Sequence, residues 1–177
     1  MINTMNLLRH HYGFNFVELM TTITITSLLS VIAFPSFKAI QLQLRVDSNI
    51  RTIQHSMQFA RNMAISYGTR VTVCPLEQGK CGNNWQAGFS IFSDTGVMNQ
   101  LDAQDIILQE INPFHSQDII QYNRRALRFQ PDGLASGTNG TLTYCPETFD
   151  SPYSEALIIN QAGRVRFSTK KNIACTP

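Results

Sequence analysis

The residues best suited to chemistry lie near the C-terminus, where basic side chains alternate with other residues. The motif Gly163-Arg164-Val165-Arg166 follows a turn and begins a predicted strand. Successive side chains on a strand point to opposite faces, and same-face residues lie roughly 7 Å apart, a spacing compatible with neighbouring phosphates of a nucleic-acid strand. A guanidinium can bind a phosphate through two parallel hydrogen bonds. The residues predicted to share one face are Arg164, Arg166, Ser168 and Lys170.

The charge around this motif supports phosphate binding but leaves a second interpretation open. Residues 161–177 contain four basic residues, the last of which is Lys171, and no acidic residue, whereas residues 76–118 contain one lysine and six acidic residues. The net charge of the whole chain is only +2, so its distribution is more informative than its total. A solvated strand face without a ligand would have the same composition. Arg124, Arg125 and Arg128 are further basic residues whose orientation the sequence leaves open.

One acidic residue, Glu18, interrupts an otherwise apolar N-terminal stretch. Residues 14–34 would form a helix about 31 Å long, which is enough to cross a bilayer core. Glu18 is the only charged residue between Arg9 and Lys38. Positive charge before the span predicts a cytoplasmic N-terminus. Because an unpaired carboxylate in hydrocarbon is costly, Glu18 is expected to have a partner, which the simpler interpretation of a signal anchor does not supply.

Four cysteines, Cys74, Cys81, Cys145 and Cys175, all follow the apolar run. An even number of cysteines outside the cytoplasm predicts disulfide bonds. Of the three possible pairings, Cys74–Cys81 with Cys145–Cys175 is favoured, because it closes a short glycine-containing loop and fixes the C-terminal tail. A zinc site is the weaker interpretation, since no CxxC motif occurs and no histidine lies at ligand spacing. No metal and no other cofactor is therefore predicted.

Two features typical of enzymes are present only in part. Asp94-Thr95-Gly96 follows an apolar strand, as in aspartic proteases, but those enzymes need two carboxylates in one site and the sequence has no second copy. His55 and His115 stand apart from any serine and acid pattern, and each is better explained as a solvated or hydrogen-bonded histidine. The chain is therefore predicted not to be an enzyme.

The elements that must position these residues are one long helix and a series of short strands. Apolar residues recur in steps of four and three between residues 36 and 67, which predicts an amphipathic helix with one buried stripe. The stripe consists of Val46, Ile50, Ile53, Met57, Ala60 and Ala64. Strands separated by turn residues are predicted at 70–74, 88–93, 105–111, 118–122, 126–130, 141–145, 156–160 and 165–169. One long helix followed only by strands predicts an α+β fold.

The motif Gly13-Phe14-Asn15-Phe16-Val17-Glu18 resembles the type IV prepilin cleavage motif. In that family a prepilin peptidase cuts after the glycine and methylates the new N-terminal amine. The resemblance implies a cut between Gly13 and Phe14. It also implies a partner for Glu18, namely the amine of Phe14 in a neighbouring subunit, because opposite charges buried together attract strongly. Glu18 is thus expected to act in filament assembly.

A second resemblance lies in the region of the strands. Residues 85–94, WQAGFSIFSD, resemble a pattern of the FimT and GspH pilin-like proteins, as does the late cysteine. This implies a type IV pilin fold, in which a long N-terminal helix packs on antiparallel β-sheets. FimT members linked to natural transformation carry a Gly-Arg-x-Arg motif that binds DNA, and Gly163-Arg164-Val165-Arg166 matches it position by position. The resemblance, closest to the FimT group, implies that this motif binds DNA. Lys170 is added as a DNA-binding residue because it shares the predicted strand face, and Lys171 because it adds charge at the edge of that face.

The patterns and resemblances together predict four segments: a leader at 1–13, a transmembrane helix segment at 14–35, an amphipathic helix half at 36–68 and a β-rich globular domain at 69–177. The chain is expected in the bacterial inner membrane, with a single pass and a periplasmic C-terminal domain, and then in a cell-surface pilus with other type IV pilins. There it would bind extracellular DNA without sequence specificity, for uptake in natural transformation. The alternative is a GspH-like minor pseudopilin of type II secretion, or a pilus-priming subunit, without DNA binding.

Overall fold

A computed structural model of the chain describes Gly13, residues 15–135 and residues 137–177. Within these residues a long helix, α1 (Phe16–Tyr67), is followed by short strands and a 3-10 helix at Trp85–Ala87. The strands are β1 (Val71–Cys74), β2 (Leu76–Glu77), β3 (Lys80–Cys81), β4 (Phe89–Ser93), β5 (Ile107–Ile111), β6 (Ile119–Tyr122), β7 (Leu127–Phe129), β8 (Gly140–Cys145), β9 (Glu155–Ile159) and β10 (Val165–Phe167). This order confirms the predicted α+β fold. The predicted leader before Gly13, and Phe14 of the predicted cut site, lie outside the described residues.

The chain divides into two compact units, one ending at Gln41 and the other running from Leu42 to Pro177. The first unit contains the N-terminal part of α1, with Glu18 in its first turn. The large apolar side chains that the structure describes in this unit are exposed, from Phe16, which is 71% exposed, to Ile40. By length and hydropathy, no single helix of the described residues qualifies as a membrane span, whereas Phe16–Val31 taken together with Ser36–Tyr67 qualifies.

Hydroxyl groups in this unit hydrogen-bond to the helix itself. Each donates to a carbonyl three or four residues earlier, at 2.7–3.0 Å. The donors are Thr21, Thr22, Thr24, Thr26, Ser27 and Ser30. Such bonds are weakly unfavourable to a helix in water, but in an apolar environment they satisfy the hydroxyl without a solvent partner.

The second unit contains two four-stranded antiparallel sheets and a small hairpin. The first sheet has the strand order β5-β4-β1-β7, the second sheet has the order β10-β9-β8-β6, and β2 pairs with β3. The order places β10 at an edge of the second sheet, beside β9. In that pair Arg166 lies opposite Ile158, and Val165 lies opposite Ile159.

The predicted apolar stripe of α1 faces the core of this unit. Its six residues, from Val46 to Ala64, are each at most 1% exposed. They form one hydrophobic cluster with side chains of both sheets, such as Ile91 in the first and Leu157 in the second. Steps of three and four keep the stripe on one side of the helix. Each large side chain buried here contributes about 1.5–3 kcal/mol relative to exposure, so this stripe holds the two sheets together.

All eight predicted strands are present, with differences at their ends and one omission. The omitted hairpin, β2 with β3, lies inside the loop closed by the Cys74–Cys81 disulfide. Two-residue strands are too short for side-chain alternation to be visible in the sequence. The strand predicted at 165–169 ends at Phe167, because pairing with β9 stops opposite Leu157.

Both favoured disulfides are present. Cys74 is bonded to Cys81, and Cys145 is bonded to Cys175. The second bond joins the end of β8 to the C-terminal tail, thirty residues further along the chain. Loops of this length lose considerable chain entropy when closed, which stabilises the fold by about 3–4 kcal/mol in the chain-entropy description.

Candidate nucleic-acid interface

The β9–β10 hairpin positions the two motif arginines, and its turn is well bonded. The amide of Gly163 donates to the carbonyl of Asn160 at 3.0 Å, and the amide of Asn160 donates to the carbonyl of Arg164 at 3.2 Å. The side-chain oxygen of Asn160 accepts a further bond of 2.9 Å from the amide of Arg164. Three-residue hairpin loops commonly end in a left-handed residue, and Gly163 takes that place with φ +74°. The backbone of Arg164 is therefore fixed on both sides.

Gly163 is required at its position for a second reason, which is close contact. A Cβ atom at this position would lie 2.0 Å from the carbonyl oxygen of Gly133. That same oxygen accepts a 3.0 Å hydrogen bond from Nε of Arg61 on α1. The amide of Ala135 also donates to the carbonyl of Gln161 in the hairpin turn, at 3.0 Å. The glycine of the motif thus lets the hairpin pack against the loop after β7.

The two motif arginines are exposed, and the residue between them is not. Val165 is only 7% exposed, while Arg164 and Arg166 are both exposed. This agrees with the alternation expected for a strand with one face on the core. Because β10 is an edge strand, the guanidinium groups lie at a rim of the domain, where an extended polyanion can approach.

Lys170 lies beyond the strand, and its surroundings differ from those of the arginines. The alternation that was predicted to place it beside Arg166 ends with β10 at Phe167. Lys170 lines a cleft of about 310 Å³ together with Asp47, Arg51 and Glu155. Lys170 therefore shares its cleft with two carboxylates and a second cation, and it does not stand on an open basic face. Lys171 is exposed on the following bend.

The charge of Glu155 in this cleft is disfavoured. Partial burial, followed by repulsion from Asp47, raises the pKa of Glu155 above its ordinary value, and attraction to Arg51 only partly opposes the rise. Arg51 in turn bonds Asp47 at 2.9 Å, and its guanidinium lies 5.6 Å from the ring centre of Phe167. This side of the hairpin is thus a mixed-charge surface.

Three arginines between β6 and β7 and on β7 have three different environments. Arg124 is exposed and lines a cleft of about 610 Å³. Arg125 lines the same cleft, but its Nε donates a 2.8 Å bond to the carbonyl of Cys81. Arg128 belongs to β7 of the first sheet, and its guanidinium lies 3.0 Å from the sulfur of Met98. The first two therefore belong to the side of the second sheet, and Arg128 does not.

The C-terminal tail closes one side of that cleft. The amide of Cys175 donates to the carbonyl of Phe149 at 2.8 Å. Gln121 on β6 bonds Thr176 in both directions, accepting from its amide at 3.0 Å and donating to its carbonyl at 2.6 Å. With the Cys145–Cys175 disulfide, these bonds hold the tail across the outer face of the second sheet.

Asp94-Thr95-Gly96 is explained by its role in a loop. The Asp94 side chain is fully buried, and it accepts bonds from the Thr72 hydroxyl at 2.6 Å and the Asn99 amide at 3.1 Å. Arg70 lies 3.5 Å from its other oxygen. A carboxylate held by three partners is not available to activate water. Among the described residues, moreover, no group of three histidine, cysteine or acidic side chains is arranged to hold a metal ion.

Comparison with known proteins identifies the family. A model of the GspH family, described as type II transport protein GspH, matches residues 49–163. No protein of curated function matches the sequence significantly. Two crystal structures of the type IV minor pilin FimU of Pseudomonas aeruginosa share the fold: one has a TM-score of 0.58 at 20% identity over 78% of this chain and 98% of FimU, and the other has 0.57 at 21% identity over 73% and 99%.

The family match and the fold agree with each other. The matched residues contain the buried half of α1 and most of the strands, and they end at the glycine of the Gly-Arg-x-Arg motif. The match therefore establishes the class of protein, a pilin-like subunit with the type IV pilin fold, without including either motif arginine. The chain belongs to the GspH family.

Proposed function

We propose that this chain is a minor type IV pilin that binds extracellular DNA through Arg164 and Arg166, for uptake in natural transformation. The observation that carries the proposal is the pair of exposed arginines on an edge hairpin whose turn is held by hydrogen bonds and by the close packing of Gly163 against the Gly133 carbonyl. Binding would involve phosphates and not bases, so it would be independent of sequence. Lys170 and Lys171 would add attraction at longer range.

We further propose that the first unit anchors the chain in the inner membrane before assembly. Exposed apolar side chains and hydroxyls bonded to their own helix suit a lipid environment. A prepilin peptidase would cut after Gly13. Glu18 would then pair with the amine of Phe14 in an adjacent pilin, since a carboxylate among lipid-facing residues needs a neutralising partner. The disulfide-bonded domain would be periplasmic and would reach the cell surface with the other pilins of the filament.

The DNA-binding proposal is tested with the full chain in nonionic detergent and labelled DNA of several unrelated sequences. We expect similar affinities for all sequences, and a linear fall of log affinity with log salt at a slope of about −2 to −4, for two to four phosphate contacts. Replacing both arginines, Arg164→Gln with Arg166→Gln, should abolish most of the binding at moderate salt. An unchanged urea midpoint would show that the fold is intact. If wild-type protein fails to bind DNA even at low salt, the proposal is wrong.

The match to the GspH family favours a second candidate function. In this alternative the chain is a minor pseudopilin of a type II secretion system, or a subunit that primes filament assembly, and it binds only other pilins. The exposed arginines would then contact acidic groups of a neighbouring subunit. Loss of filaments or of secretion in an Arg164→Gln, Arg166→Gln strain would favour this alternative, whereas normal filaments with lost DNA uptake would favour DNA binding.

A further inference from the structure

The outer face of the second sheet carries basic groups at both of its edges. We infer that Arg124 forms a second phosphate-binding end, so that the protein contacts both backbones of duplex DNA. This inference rests on the proposed function, which it deepens by naming the form of DNA that is bound. It also assigns a role to a cleft that the Gly-Arg-x-Arg motif does not include.

The cleft around Arg124 has the composition of an anion site. Its volume is about 610 Å³, and no acidic side chain is among its lining residues. The lining includes the guanidinium groups of Arg124 and Arg125, amide and hydroxyl side chains such as those of Asn123 and Thr141, and Tyr122. Arginine, amide and hydroxyl groups are the usual donors to phosphate oxygens. The lysine cleft on the other side of the hairpin differs, because it contains Asp47 and Glu155.

Two guanidinium groups line the cleft, those of Arg124 and Arg125, and they differ in how they are held. Arg125 is already bonded to the carbonyl of Cys81. The Arg124 side chain is exposed, and its position is set by Asn123, the preceding residue. The amide of Asn123 donates to the carbonyl of Thr141 at 3.2 Å, and the amide of Thr141 donates back to the side-chain oxygen of Asn123 at 2.9 Å. The backbone next to Arg124 is thus held in place, while its exposed guanidinium group can turn toward a ligand.

The strand register gives the distance between the two basic ends. Arg166 on β10 lies opposite Ile158 on β9, and Ile158 lies opposite Thr141 on β8. Thr141 is bonded to Asn123, the residue before Arg124. Neighbouring strands are about 4.8 Å apart, so three steps place the two ends about 14 Å apart along the backbone. The grooves of B-form DNA are about 6 and 12 Å wide. Two flexible arginines at this separation suit the two backbones that border one groove.

The surface between the two ends favours a duplex over a single strand. Proteins that bind single strands stack the bases on exposed aromatic rings. Here the row between Arg166 and Arg124 consists of Ile158, Thr141 and Asn123, none of which is aromatic. Tyr122 lines the cleft but is only 8% exposed, and its hydroxyl donates to the carbonyl of Thr138. This uncharged row has no ring on which an unpaired base could stack. It therefore suits a duplex groove, in which the bases remain paired.

The test compares duplex and single-stranded DNA of twenty nucleotides, with the full chain in nonionic detergent. We expect wild-type protein to bind the duplex several-fold more tightly. Arg124→Gln should weaken duplex binding about five- to tenfold and reduce the salt slope by about one, while single-strand binding changes less. Arg128→Gln, on the other sheet, is the matched control and should behave as wild type. Circular dichroism and a urea midpoint would check the fold of each variant.

The possible failures can be told apart. Suppose that Arg124→Gln binds duplex DNA like wild type, and that the double variant Arg164→Gln, Arg166→Gln does not bind. Then the assignment of Arg124 as a phosphate-binding residue is wrong, and the proposed function stands. Equal wild-type affinity for the two DNA forms would likewise overturn the duplex inference alone. If wild-type protein binds neither form, the proposed function itself fails, and this inference fails with it.

Discussion

The hydroxyl of Tyr144 donates a 2.6 Å hydrogen bond to the carboxylate of Asp118, and both side chains are buried where α1 meets the second sheet. The other carboxylate oxygen lies 2.8 Å from a guanidinium nitrogen of Arg45, and Asn49 donates to the tyrosine oxygen at 2.7 Å. Burial, followed by the bond to Asp118, raises the pKa of Tyr144, so it remains a neutral donor. Two helix residues are thereby joined to a residue of β8 and to the residue that precedes β6.

Replacing Arg45 should strongly destabilise the protein. Arg45→Met removes the cation and leaves the Asp118 carboxylate buried with only the tyrosine as partner. Loss of one member of a buried pair costs about 3–5 kcal/mol, and because the Arg45 side chain is 27% exposed we expect the low end of that range. Urea denaturation measures the change. Arg51→Met, the same substitution at an exposed pair on the same helix, is the control and should have little effect. Equal losses of stability in Arg45→Met and Arg51→Met would contradict the claim that Arg45 stabilises the fold by neutralising buried Asp118.

Replacing Gly163 by alanine should impair both stability and DNA binding. The new methyl group would adopt an unfavourable positive φ and also meet the carbonyl of Gly133. Gly68→Ala is the matched control, because Gly68 also has positive φ, +60°, but nothing lies within 4 Å of its added Cβ. The backbone cost alone is about 1–2 kcal/mol for either substitution. Gly163→Ala should therefore lower the free energy of unfolding by more than Gly68→Ala, because it adds the contact with the Gly133 carbonyl. DNA titration of both proteins should show weaker binding only for the substitution in the hairpin.

Among the four basic residues after Gly163, Lys170 should contribute less to DNA binding than Arg166. Its cleft contains two carboxylates, whereas Arg166 stands exposed on the edge strand. Arg166→Gln should weaken binding about five- to tenfold and lower the salt slope by about one. Lys170→Gln should stay within about twofold of wild type. Fluorescence anisotropy at three salt concentrations measures both quantities, and equal losses for the two variants would show that the carboxylates do not offset the lysine.

Glu155→Gln should stabilise the protein at neutral pH but not in acid. The pKa of Glu155 is raised in the folded state, so the folded state favours the protonated form. The stability that this preference supplies is present at low pH and is lost as the pH rises through the raised pKa. Glutamine carries no charge at either pH. We expect the variant to gain up to about 0.5 kcal/mol at pH 7 and nothing at pH 3, as measured by urea denaturation at both values. A gain of the same size at pH 3 would indicate a packing effect instead.

Periodicity allowed most of the fold to be predicted, because it records which side of an element is buried. The stripe from Val46 to Ala64 follows from steps of three and four, and the eight strands follow from short β-prone runs bounded by turn residues. The Gly-Arg-x-Arg motif was found for a related reason, since its arginines alternate with a core valine.

The remaining parts of the site depend on contacts between residues distant in sequence. The end of β10 depends on where its pairing with β9 stops, and no local signal places Lys170 in the same cleft as Asp47. The same holds for Arg124, whose distance from Arg166 is fixed by the register of four strands. Arg61 was not singled out as a site residue, because nothing in its helical neighbourhood indicates a bond to the carbonyl of Gly133.

The bonds around Gly133 determine how the domain would bear mechanical load. A polymer held at Arg164 and pulled outward acts on β10, a strand of only three residues at the edge of its sheet. Without further support, the hydrogen bonds between β10 and β9 would break one after another. The turn beside that arginine is joined through Gln161 to Ala135, and Arg61 joins the same loop to α1. These bonds give tension at the rim a second path, through the loop after β7, into the long helix. A tether of this kind would let one weak edge withstand traction.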